Sequence, residues 1–418
     1  MQVSQVLASE WRLALGCTEP AAVAHAAALA ASQGRGAVTR VRLVCDPRTY
    51  KNCYAVGLPN SGRRTGLLWA LALGAVLPDP SLGLRCFQAV TEETQAMAQA
   101  LLDARAVEVE VDPAGDHLCI DVTVEREGGC GRAVIAHEHT RVVRLEADGR
   151  VVGGEGACGG AGTCPSFRAE LAAMSLADLM ALARTLTEAD RVLLREGAEL
   201  NLAIARHGLS LLPAGFVAPG VHDAQTRLAR LVSAGVHARM SGEALPVMSL
   251  AGSGNKGITV SVPVVLWGRE AGHSQERIDE ALAFACLVTA SVTHHLGTLS
   301  AICGAANAGG IGIAAAIVML EGGSAAQVGL AVNNIVGNLA GMICDGAKIG
   351  CAMKTMTGVD AAFRAAGLAL AGIGIPATDG IVAASGEASL ANLGRIAQVG
   401  MAQVDAEILD IMQGKLRA

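Results

Sequence analysis

Between residues 297 and 354 lie three cysteines, Cys303, Cys344 and Cys351, in a stretch that carries almost no charge until Asp345. The first two are 41 positions apart and the last two are 7 apart. Seven residues is close to two helical turns, so Cys344 and Cys351 share a face if the segment is helical. Gly346 and Gly350 favour a loop leading into a helix. Either geometry turns two thiols toward one point, with Cys303 arriving from another helix. Three thiols beside small residues suit a soft metal. The spacing matches neither a ferredoxin nor a zinc ribbon, so burial as small apolar residues stands beside the metal reading.

Four other stretches carry chemistry-bearing residues. Gly16-Cys17-Thr18-Glu19-Pro20 interrupts an alanine-rich helical pattern over 3–33. Thr18 can cap a helix and Pro20 suits a first turn. A helix N-terminus there would favour the Cys17 thiolate, although a plain turn accounts for the pattern as well. Lys51 and Asn52 fall in a loop after a strand-like run that starts at Val38. His137-Glu138-His139-Thr140 has one residue between its histidines, so it is not the HExxH zinc helix. On a strand, 137 and 139 share a face, as surface residues, substrate contacts or a pair of zinc ligands. Ala251-Gly-Ser-Gly-Asn-Lys-Gly257 contains GxGxxG, but helices follow it without the alternating strands of a dinucleotide fold. Its backbone N–H groups still form a nest for a carboxylate.

These residues need a scaffold, and composition limits it. The chain has 418 residues, 52% of them hydrophobic, yet only ten aromatics, so small aliphatic side chains must fill a close-packed helical core. Helical patterns run over 174–207, 222–238, 258–268, 275–293, 298–320, 324–343, 352–372 and 387–415. Residues 105–154 alternate apolar and polar between Gly and Asp turns, as an antiparallel sheet does. The expected architecture is α+β. A large helical domain takes 1–35 plus 170–418, and a smaller antiparallel-sheet domain takes 36–165. The glycine-rich run from Cys158 to Cys164 would link them, and the active site would lie between them.

A net charge of −6 without a basic stripe argues against nucleic acid. Twelve scattered cysteines and an N-terminus with no secretory pattern point to a reducing cytoplasm, with thiols free. The run 281–344 is long enough for membrane spans. It is rich in Gly, Ala and Asn, and His294 and His295 interrupt it, which fits buried helices better than a transporter. No membrane is expected as a partner, and a homo-oligomer is left open.

Taken in order, LGCTEP (15–20), KN (51–52), HT (139–140), GSGNKG (252–257), LSAICG (299–304), MICDGAK..CAMK (342–354) and the tail from Ile381 resemble the cysteine desulfidase family, also called UPF0597 or YhaM-like. The second half more distantly resembles the catalytic domain of iron–sulfur L-serine dehydratases, with a shorter interval between the last two cysteines here. The chain departs from its relatives at Lys256, where glutamine is frequent, and at His294-His295. The resemblance implies a 4Fe–4S cluster held by Cys303, Cys344 and Cys351, with Cys17 as an alternative or exchangeable ligand. It implies a non-redox α,β-elimination of L-cysteine to pyruvate, ammonia and hydrogen sulfide, an open iron acting as Lewis acid for the leaving sulfur. Cys17 or Lys51 would be the base. Ser253, Gly254 and Asn255 would hold the carboxylate, with Thr18, Glu19, Asn52, His139 and Thr140 orienting the amino acid. Asp345 and Lys348 would tune the cluster. L-serine dehydration with the same cluster is the nearest alternative.

Overall fold

Alternating valines and isoleucines between 38 and 153 build a six-stranded sheet: β2 (Val38–Cys45), β3 (Val107–Val111), β4 (Cys119–Arg126), β5 (Gly129–Ala136), β6 (Val142–Ala147) and β7 (Arg150–Gly153). The computed structural model describes residues 1–77, 79–113, 115, 118–154, 167–217 and 222–417. The strand order is β3-β2-β4-β5-β6-β7. Every pair is antiparallel except β2–β3, so the sheet is mixed, not purely antiparallel. The parallel pair is possible because a helical crossover intervenes between its strands: α3 (Pro47–Cys53), α4 (Leu67–Val76), a 3-10 helix (Pro80–Ala89) and α5 (Glu92–Asp103). One sheet face buries Val41, Leu43, Ile120, Val122, Val124 and Ile135. The other carries Arg40 and Arg42, paired across the strands with Glu108 and Glu110.

Residues 3–33 are not one interrupted helix. Helix α1 (Val3–Glu10) leads into a strand, β1 (Trp11–Leu15), and then α2 (Thr18–Ala31). β1 pairs antiparallel with β8 (Pro246–Leu250), a long-range partner that local periodicity does not reveal. The two elements at this end go to different cores. Val3, Val6, Leu7 and Trp11 join the helical core, whereas Ala22, Val23, Ala26, Ala27 and Ala30 of α2 pack with the buried sheet face.

The helical part holds α6 (Phe167–Ala173), α7 (Leu176–Leu182), α8 (Glu188–Leu209), α9 (Ala224–Met240), α10 (Gly254–Glu270), α11 (Gln275–Leu296), α12 (Gly304–Leu320), α13 (Ala325–Leu339), α14 (Cys351–Leu370), α15 (Gly386–Arg395) and α16 (Val404–Arg417). α12 is apolar and almost wholly buried, with α10, α11, α13 and α14 around it. It is too short to span a bilayer. Among the described residues no single helix is long and apolar enough to cross a membrane; one pair, Leu67–Val76 with Pro80–Ala89, reaches the length only across a 115° bend.

Three local expectations change. Lys51 and Asn52 sit on α3, where Pro47 opens the helix and the Asp46 carboxylate accepts from the N–H groups of Arg48 and Thr49. Residues 137–140 form a turn between β5 and β6, and His137 takes a left-handed φ of +70° that a strand excludes. Residues 298–303 and 340–350 are loops. The proposed linker with Cys158 and Cys164 lies outside the described residues.

Candidate active site

The two loops are joined to each other. Cys303 N–H donates to Met342 O at 2.9 Å, and Cys344 N–H donates to Ala301 O at 2.7 Å. Between them Ile302 and Ile343 form an isolated β-bridge. This pairing brings Cys303 and Cys344 side by side although 41 residues separate them in the chain. Cys351 opens α14 and its Sγ lies 3.5 Å from Gly346 O. All three cysteines line one solvent-open cleft with about 670 Å³ of empty space, together with Cys17, Glu19, Asn52, Ser253, Asn255 and Lys256.

Helix ends dominate this cleft. Cys17 is the N-cap of α2, Ser253 of α10 and Cys303 of α12, and Cys351 is the first residue of α14. Four helix N-termini therefore present N–H groups and positive dipole ends to the same region, which favours anions there. Burial works the other way on the thiols. It pushes Cys303 up to about 12, with added repulsion from Cys344 and Cys351, and it raises Cys351, where Cys344 again adds. A metal bound at these thiols would reverse the effect. Among the described residues no three His, Cys, Asp or Glu side chains converge as ligands of a single metal ion would.

Cys17 departs from the expected thiolate. Burial and the Glu19 charge raise it well above the ordinary thiol, outweighing the pull of Arg239 and the helix end. Its Sγ lies 3.2 Å from Glu19 Oε2, which also accepts from Thr18 Oγ1 at 2.9 Å. Burial raises the Glu19 carboxyl, but the hydrogen-bonding side chains and His139 outweigh it and hold the group at about 2. His139 Nε2 is 3.9 Å from Glu19 Oε1, too far for a hydrogen bond, and has no other partner. His139 and Thr140 face a neighbouring polar cleft with Thr18, Arg12 and Arg168, and this cleft meets the cysteine cleft at Gly252 and Thr298.

Lys51 does not line the cysteine cleft. Its ammonium donates to Cys344 O at 2.7 Å and pairs with Asp405 of α16. Asp405 also accepts from Arg48 Nε at 2.6 Å, and Arg48 donates to Leu299 O at 2.6 Å. The C-terminal helix thus grips both cysteine loops through two cations on α3. Gly346, with φ +93°, makes room for this approach: a Cβ there would stand 2.2 Å from Lys51 O. Asp345 pairs with Lys348 and Lys354, which outweigh burial and hold it at about 2. Lys354 also donates to Ile343 O at 2.8 Å, tying α14 to the Cys344 loop.

Two cleft residues escape the sequence reading. Lys256 is buried, donates to Ala251 O at 3.2 Å and Thr293 Oγ1 at 3.0 Å, and is brought down to about 7 by burial, with Arg168 adding. It was visible in GSGNKG only as a departure from relatives. Arg239, near the end of α9, has no local sequence signal at all. It donates to Asn255 Oδ1 at 2.8 Å and Gly16 O at 2.7 Å. Asn255 is therefore committed on its oxygen side, and its Nδ2 faces Met240 Sδ at 3.4 Å. Ser253 lines the cleft, while Gly254 lies against Arg239.

Residues 81–410 match the family described as serine dehydratase alpha chain. The chain is 39% identical to a UPF0597 protein of Geobacter sulfurreducens, covering 98% of this chain and 97% of that one. It is 34% identical to a UPF0597 protein of Elusimicrobium minutum, covering 99% of each, and 38% identical to one of Oleidesulfovibrio alaskensis, covering 96% and 95%. The chain belongs to the serine dehydratase alpha chain family and to the UPF0597 proteins.

Proposed function

We propose that the protein is an iron–sulfur lyase that removes sulfide from L-cysteine by α,β-elimination. The observation that carries this reading is the meeting of Cys303, Cys344 and Cys351 in one cleft with the 252–257 loop. A multi-iron cluster takes one thiolate per iron, so its ligands stand around it and not on a single ion. Three thiols on the walls of one cleft fit that requirement. When bound, a 4Fe–4S cluster would supply Lewis acidity toward the leaving sulfur.

The chain's own groups do the rest. Ser253 and the N-terminus of α10 offer N–H and O–H donors to the substrate carboxylate. The Glu19 carboxylate, on the cleft wall beside Cys17, is the acceptor for the substrate ammonium. The α-proton passes to a base on the same wall. Cys17 and Lys256 line the cleft, and Lys256 is the one whose basic form is accessible near pH 7. Asn52 also faces the cleft, whereas Lys51 holds the Cys344 loop in place. Aminoacrylate leaves the cleft and hydrolyses to pyruvate and ammonia.

L-Serine is the second reading, because the matched family is described by serine dehydration. Anaerobic purification with iron and acid-labile sulfide analysis, then product assays on both amino acids, tests the proposal. Iron and sulfide in wild type, their loss in Cys303→Ala and sulfide release from L-cysteine are expected. Pyruvate from L-serine alone would replace the substrate. Strictly anaerobic, reconstituted protein without iron would remove the mechanism.

A further inference from the structure

We infer that Arg239 is the charged anchor for the α-carboxylate of the amino-acid substrate. The inference rests on the lyase reading above and supplies what that reading lacks, a cation dedicated to the carboxylate. Arg239 lines the cysteine cleft and is 1% exposed. A guanidinium stays protonated under all ordinary conditions, so this is a permanent positive charge taken out of water. Burying such a charge is costly unless an anion accompanies it. Among the described residues no carboxylate lies within ion-pair distance of Arg239.

Its hydrogen bonds are incomplete as well. Of the five N–H groups a guanidinium carries, one reaches Asn255 Oδ1 and one reaches Gly16 O, both neutral acceptors. Nε is buried without any partner. The contrast with the other deeply buried guanidinium near the cleft is direct: Arg48 has the Asp405 carboxylate. A planar fork with unused donors and no counter-ion matches a carboxylate better than any other part of an amino acid.

The surroundings hold this fork still. A Cβ at position 254 would stand 2.4 Å from Nε and 2.6 Å from Cζ, so only glycine lets the guanidinium lie against the loop backbone. Asn255 and Gly16 grip it from the start of α10 and from the residue before Cys17. Arg239 is thereby set between the two segments that bracket the substrate. Asn255, with its oxygen turned to Arg239, acts by orienting the cation.

The test uses the full chain, prepared anaerobically with its metal content measured. L-Alanine, an amino acid without a leaving group, and ethylamine, the same molecule without its carboxylate, are titrated by calorimetry into wild type, Arg239→Gln and Arg239→Lys. L-Cysteine turnover is followed in parallel. Wild type should bind L-alanine and not ethylamine. Arg239→Gln should lose that preference and raise KM about 100-fold with iron content and kcat close to wild type, and Arg239→Lys should fall between. Gly254→Ala, which displaces the guanidinium while keeping its charge, should reproduce the weakened L-alanine binding. Three outcomes overturn the inference: wild type binding both ligands alike, Arg239→Gln keeping its preference for L-alanine, or Arg239→Gln losing iron with KM unchanged, which would make Arg239 a counter-charge to the cysteines. Because the calorimetry needs no turnover, absence of lyase activity would defeat the proposed reaction without deciding the role of Arg239.

Discussion

Two buried cation sites flank the cysteine loops, and they differ in one respect. On one side Lys51 and Arg48 share the Asp405 carboxylate, and their remaining donors hold Cys344 O and Leu299 O. On the other, Arg239 has only neutral acceptors and an idle Nε. The first site is closed: each cation has the Asp405 carboxylate, and their remaining donors go to backbone oxygens. The second is open, and it is the one that lines the cleft. A protein can afford a buried charge with no anion beside it where a ligand will arrive to pair with it.

The comparison predicts unequal responses to mutation. The largest belongs to the closed site. Asp405→Ala leaves Lys51 buried without its counter-ion and should lower unfolding free energy by about 3–5 kcal/mol, read as a fall in denaturation midpoint. The Asp405 pKa is lowered because Lys51 and Arg48 outweigh burial. Its contribution is therefore present above the unfolded carboxyl value and is lost as pH falls through the lower folded value. Wild type should show this acid loss and Asp405→Ala should not. An unchanged midpoint would remove the distinction between the two sites.

Arg239→Gln should alter stability far less, by about 1 kcal/mol or under, since a cation with no counter-ion is exchanged for a neutral group of similar reach. A larger loss would mean that Arg239 is part of the framework.

Lys256 sharpens the open side further. Burial lowers its pKa to about 7, so kcat/KM should climb as pH rises through 7 if its neutral amine takes the α-proton. Lys256→Gln should erase that limb. A limb that survives in Lys256→Gln and vanishes in Cys17→Ser transfers the role to Cys17. The same lowered pKa makes the fold gain stability as pH rises from about 7 toward the unfolded lysine value, because the unfolded chain binds the extra proton there.

The smallest effect belongs to the exposed sheet face. Arg40 and Glu108 are about half exposed, and such pairs are screened by water and salt. Arg40→Ala should leave the denaturation midpoint unchanged within error. A clear loss would show that solvent-facing pairs matter here as buried ones do.

The α+β class, the strands between 105 and 154 and most helices after 170 were legible in the residues, because side-chain periodicity is a local signal. So were the cysteines and the GSGNKG loop, whose residue types carry their chemistry with them. What lay beyond local reading was pairing. β1 is a strand only because β8 lies beside it, and WRLAL inside an alanine-rich stretch does not announce that. The 299–303 and 342–344 segments are loops that become adjacent through one β-bridge, which decides that Cys303 and Cys344 meet. Lys51 sits on a helix and faces Asp405, 354 residues away, so its role is set by a partner at the far end of the chain. Arg239 is the clearest case. Nothing around it in the chain marks it, and its significance is the absence of a neighbour. Sequence determined which groups are available and which elements form. Only the tertiary structure decided which charges are paired and which are left waiting, because that depends on contacts between residues far apart in the chain.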